Sequence, residues 1–140
     1  MKTKELFIEI QNLHLPEGEY VVLGSGILCA LGIRDSKDVD LLVNRQTFDH
    51  LRETGWGDYS IVDLDGRKRE KLVRGMSETF ADMWVGDREY RLEELLKDAQ
   101  YIREVPFVNL KILREMKNGW GRPKDYLDID LIDTYLKRMQ

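Results

Sequence analysis

The chain reads as an α+β domain, a mixed β-sheet flanked by helices, with the C-terminal helices packed on it. Three observations predict this. Two short apolar runs, Tyr20–Leu23 and Val39–Val43, have the length and composition of buried strands. Further strand-like stretches follow at Tyr59–Asp63, Lys71–Val73 and Thr79–Val85. After residue 91 the apolar residues recur at helical spacing, so helices close the chain.

Leu6, Phe7 and Ile10 share one face of a helix over 4–12, which Pro16-Glu-Gly18 ends. Tyr20–Leu23 is the first buried strand and Ile27–Leu31 a short buried helix, with Gly32 suited to its end. Val39–Val43 is the second strand. Asn44 caps a helix running to about Thr54, with Phe48 and Leu51 inward, and Gly55-Trp-Gly57 stops it. Asp65-Gly66 is a good hairpin turn between the next two strands. In Thr79–Val85, strand alternation puts Phe80, Asp82 and Trp84 on one face. Leu92–Ala99 is a helix with Leu92, Leu95 and Leu96 inward, and Pro106 lies in an extended connector. Asn109 caps a helix over Leu110–Lys117. Pro123 suits the first turn of the last helix, whose apolar stripe is Leu127, Leu131 and Tyr135 with Ile132 and Leu136. On that reading Leu131→Asp buries an unpaired charge and unfolds the protein.

A chain of 140 residues suggests one domain, 1–140, large enough for a real core. The net charge of −4 argues against a broadly basic nucleic-acid-binding surface. The single Cys29 excludes an internal disulfide framework and fits a reducing cytosol, so a cytoplasmic location is expected. No run approaches the ~18 apolar residues of a membrane span, and Lys2 and Lys4 precede only a broken apolar stretch, unlike a secretory signal.

The chemistry concentrates in residues 22–43. The first strand ends at Gly24-Ser25, and about one helix later Asp38-Val39-Asp40 enters the second strand. Alternate strand residues share a face, so Asp38 and Asp40 present two carboxylates on one side. Two close carboxylates repel, and Mg²⁺ (or Mn²⁺) relieves that repulsion, since it favours hard oxygen ligands together with substrate phosphates. The Gly24-Ser25 turn offers backbone N–H groups to such phosphates. A Rossmann reading of Gly24-Ser-Gly26 fails, because position 29 is Cys and no acid follows a second strand at the expected distance.

Gly24-Ser25, followed by Arg34, Ser36-Lys37 and Asp38-Val39-Asp40-Leu41-Leu42-Val43, resembles the signature of the DNA polymerase β-type nucleotidyltransferase superfamily. The flavour is that of its small, minimal members, which include abortive-infection-type toxins. A second stretch, Leu110-Lys111-Ile-Leu-Arg114 and Gly121-Arg-Pro-Lys-Asp125-Tyr-Leu-Asp128, is similar to the group's lysine-bearing helix and following R-x-K-D-x-x-D element. The two stretches bracket roughly residues 20–132. The resemblance implies a nucleotidyltransferase-like sheet and transfer of a nucleoside monophosphate from an NTP to a hydroxyl acceptor, with release of pyrophosphate. It implies that Asp38, Asp40 and a carboxylate from a later strand hold the metal and carry the catalysis. Asp82 fits that third place best, being mid-strand among apolar neighbours, with Asp63 and Glu78 as rivals. Gly24, Ser25, Arg34, Ser36, Lys111 and Lys124 would contact the nucleotide. Arg122 and Lys124 either meet the triphosphate or form an ion network with Asp125 and Asp128.

The acceptor stays open between RNA, a protein side chain and a small molecule. The chain lacks room for a separate acceptor-binding domain, so a partner protein, a second copy or the substrate itself is expected to complete the site. The alternative to an enzyme is a catalytically inactive binding or toxin–antitoxin-type module of the same fold. A third reading is an RNA-binding accessory domain using Arg67, Lys68, Arg69 and Lys71, against which stands a plain charged hairpin tip. His14 and His50 do not suggest a metal site, and the three tryptophans read as packing residues, with Trp120 between two glycines open to stacking on a base.

Overall fold

The structure, a computed structural model, describes residues 1–64 and 66–140. The described residues form six helices and nine strands. First come α1 (Thr3–Asn12), β1 (Tyr20–Leu23), α2 (Gly26–Ala30), β2 (Val39–Val43) and α3 (Arg45–Glu53). Next are β3 (Asp58–Leu64), β4 (Arg67–Arg74), β5 (Ser77–Phe80), β6 (Trp84–Val85) and β7 (Arg88–Glu89). The chain closes with α4 (Leu92–Lys97), β8 (Gln100–Ile102), β9 (Val105–Phe107), α5 (Leu110–Trp120) and α6 (Pro123–Arg138). Seven strands form one mixed sheet in the order β3-β4-β5-β2-β1-β9-β8, and β6 with β7 make a separate small ribbon.

The sheet's centre follows from composition. β1 is buried at every residue, and β2 at every residue but Asp40, which is half-buried. Runs that apolar belong between other strands, with both faces covered. β2 runs antiparallel to β1, with Leu23 opposite Asp40, and parallel to β5, with Asp40 opposite Glu78. Phe7 of α1 meets Phe107 of β9 edge to face, ring centroids 5.9 Å apart, which ties the first helix to the sheet. Asn44 and Asn109 cap α3 and α5 as their sequence suggests, accepting from the backbone N–H of Thr47 at 2.7 Å and of Ile112 at 2.8 Å. Gly121 ends α5 in the left-handed region at φ 61°, and Pro123 opens α6.

Four sequence expectations need correction. The strand expected over Thr79–Val85 stops at Phe80, and the ribbon strand β6 begins only at Trp84, so Asp82 lies beyond the end of β5. The connector around Pro106 is strand β9, buried beside β1. Lys111 is exposed on the first turn of α5. The inward face of α6 is Asp125, Asp128, Ile129 and Ile132, with Tyr135 and Leu136 packed against the core, so of the expected stripe Leu127 and Leu131 do not face inward. Leu127 is 67% exposed and Leu131 36% exposed, because two acids with buried cationic partners occupy the face turned to the protein. Leu131→Asp therefore sets its carboxylate at the surface, and the unfolding expected of it belongs instead to Ile132, which is fully buried. Of the expected Asp65-Gly66 turn, Asp65 lies outside the described residues.

Candidate metal and nucleotide site

Strand register builds an acidic cluster. Asp40 and Glu78 are direct partners across the parallel β2–β5 pair, and Asp38 precedes Asp40 by two residues. One oxygen from each of Asp38, Asp40 and Glu78 lies within 4.8 Å of the others, so the three carboxylates can meet on a single cation. Burial, the Asp38 charge and a hydrogen bond and charge from Glu78 push the Asp40 carboxyl up to about 7. Lys71 of β4 offsets part of the crowding, its Nζ 3.2 Å from Glu78 Oε1.

The chain leaves β1 directly beside this cluster. Gly24 has φ 57°, and a Cβ there would lie 3.2 Å from Asp40 Oδ2. Both the left-handed backbone and the close carboxylate select glycine at this turn.

A cavity of about 640 Å³ opens between this turn, the 34–40 segment and the α5–α6 pair. Its charged groups are largely bound to one another. Arg34 grips Asp128 with two contacts of 2.7 and 2.8 Å and donates to Ser25 Oγ at 2.5 Å. Lys117 Nζ stands 2.8 Å from Asp128 and 3.6 Å from Asp125, with all three side chains buried. Arg122 Nε reaches Asp125 at 2.6 Å. Burial pushes both carboxyls up, yet Arg34 and Lys117 at Asp128, and Arg122 with Lys117 at Asp125, hold both below the usual carboxylate range. The network thus ties the Ser25 turn and the segment before Asp38 to the terminal helices. Ser36 adds a local brace, its Oγ donating to the Asp38 carbonyl at 2.7 Å. Lys37 and Lys124 also line the cavity, exposed.

Gly24, Ser25, Arg34, Ser36, Asp38, Asp40 and Lys124 therefore gather around one cavity. Asp82 does not join them. Its carboxylate accepts from Arg69 Nε at 3.0 Å and from Trp84 Nε1 at 3.1 Å, and Arg69 also donates to the Asp82 carbonyl. Glu78, one of its sequence rivals, stands with the aspartates instead. Lys111 is exposed and does not line the cavity. Lys117, six residues along the same helix, reaches the cavity. One signal for Lys117 was available, since it shares a helical face with Leu110 and Leu113 and so turns inward.

Comparison with family models, curated proteins and solved structures finds no match.

Three hard oxygen donors and no sulfur or imidazole suit a small divalent cation of the Mg²⁺ or Mn²⁺ kind. A cavity within the range of small-ligand sites adjoins them. Among the described residues no helix is long and apolar enough to cross a membrane.

Proposed function

We propose that the chain is a nucleotidyltransferase that uses Mg²⁺, or Mn²⁺, to move a nucleoside monophosphate from an NTP to a hydroxyl acceptor. The observation that carries this reading is the cluster of Asp38, Asp40 and Glu78 against the Gly24 turn, at the edge of a cavity with two exposed lysines. The cation, when bound, supplies charge neutralisation at the phosphate oxygens and orients the phosphate. The chain's own residues do the rest. Asp38, Asp40 and Glu78 would hold the ion. Lys37 and Lys124 hold the β- and γ-phosphates. The acceptor oxygen bonds to the α-phosphorus, the α–β bridging bond breaks with pyrophosphate leaving, and the hydroxyl proton passes to Glu78. RNA, a protein side chain and a small molecule are the acceptor classes to test, and a second copy or a partner protein would complete the acceptor's seat.

The test is incubation of the chain with an α-labelled NTP, Mg²⁺ and pools of each acceptor class. Transfer of label with matching pyrophosphate release, lost in Asp40→Asn and Glu78→Gln, supports the reading. Nucleotide binding with no transfer to any pool points to a non-catalytic binding or toxin–antitoxin-type module.

A further inference from the structure

On the α5–α6 side of the cavity, among the charged groups, lies one apolar patch. Trp120, half-buried at the end of α5, lines it together with Leu127 and Leu131, which stand one turn apart on α6. A lone exposed leucine needs no explanation, but an exposed apolar wall on a cavity otherwise rich in charge does. Arg122 braces the wall, its guanidinium 5.1 Å from the centre of the Trp120 ring.

The polar groups around this wall are largely committed elsewhere. Ser25, Arg34, Lys117, Asp125 and Asp128 bond to one another, and Ser36 bonds to the Asp38 carbonyl. Lys37 and Lys124 are ammonium groups, point charges that suit phosphate oxygens better than the patterned edge of a base.

We infer that Trp120, Leu127 and Leu131 form the seat of the nucleobase and grip it by its faces, favouring purines over pyrimidines without separating adenine from guanine. The inference rests on the nucleotidyltransferase reading and adds its base selectivity. Contact with an apolar wall grows with the area of the ring system, so the two-ring bases gain. Strong discrimination between bases of similar size needs donors and acceptors matched to their edges, since an apolar pocket separates near-isosteres only weakly. Stacking contributes modestly and tolerates any base.

The experiment is calorimetric titration of the full chain, with Mg²⁺ present, using non-hydrolysable analogues of ATP, GTP, CTP and UTP. Expected are ATP and GTP affinities within about threefold of each other, and both about three- to tenfold tighter than CTP and UTP. The double variant Leu127→Ser/Leu131→Ser should melt as the wild type does and bind all four analogues alike. Trp120→Leu should shrink the purine advantage in the same way. An adenine–guanine gap above about tenfold overturns the inference, as does a purine advantage absent from the wild type or surviving in both variants. Each of those results leaves the nucleotidyltransferase reading standing. Failure of every analogue to bind the wild type removes that reading, and the inference with it.

Discussion

Asp40 and Glu78 sit directly opposite each other on adjacent parallel strands, thirty-eight positions apart in the chain and side by side in the sheet. Strand register, not sequence proximity, makes them neighbours. It also gives Asp40 a second carboxylate besides Asp38, and burial, together with this crowding, raises its affinity for a proton.

The buried, crowded Asp40 carboxyl has a stability signature. The folded Asp40 carboxyl titrates at about 7, against 3.8 ordinarily, so between those values the folded chain binds a proton that the unfolded chain releases. Stability therefore falls as pH rises through this window and levels off above about 7. Asp40→Asn removes the penalty. Urea unfolding at pH 8 should find the variant more stable than wild type by roughly 2 kcal/mol, with a smaller gap at pH 5. The same variant should have lost transfer activity.

Protons and the cation compete for Asp40. Between pH 8 and pH 6 its ionised fraction falls about tenfold, so the affinity for Mn²⁺ should fall by about the same factor. Titration of Mn²⁺ followed by electron paramagnetic resonance measures this directly, and an affinity indifferent to pH would remove Asp40 from the ligand set.

Glu78 and Asp82 separate by mutation. Glu78→Gln should fold and abolish transfer. Asp82→Asn should keep transfer, because the residue serves Arg69 and Trp84, at a cost of about 1–2 kcal/mol in chemical denaturation. A dead but folded Asp82→Asn would return the third carboxylate to that position.

The parts of the site that were legible in the sequence are those fixed locally. Gly24-Ser25 sits at a strand end, and Asp38 and Asp40 share a face by alternation alone. The third carboxylate depended on how β5 aligns with β2, and one residue of register moves every side chain to the other face. Thr79–Val85 has strand-like composition throughout, but the chain leaves the sheet after Phe80, where Arg69 of the neighbouring strand draws Asp82 into its own ion pair. On α6 the expected apolar stripe holds at Ile132, Tyr135 and Leu136, which pack against the core, and fails at Leu127 and Leu131, where Asp125 and Asp128 take the inward positions. Asp128 is buried because Arg34, ninety-four residues away, meets it. No local pattern announces a partner at that distance, and without the partner an acid is rightly expected to face water.

That buried network should be costly to break. Asp128→Asn leaves Lys117 and Arg34 facing a neutral amide and should destabilise the fold by about 3 kcal/mol. In the wild type Asp128 titrates below its ordinary value. The stability it contributes is present above that ordinary value and is lost as pH falls through the depressed one. Lys117→Met should be similarly damaging, and the double variant should lose less than the sum, which a thermodynamic cycle from urea unfolding will read.

The most direct test of the central claim is a crystal structure of the chain soaked with Mg²⁺ and a non-hydrolysable NTP. The account requires an ion bound by Asp38, Asp40 and Glu78, with the triphosphate lying along the Gly24-Ser25 turn. A nucleotide bound elsewhere, or a metal that ignores those three carboxylates, would contradict it.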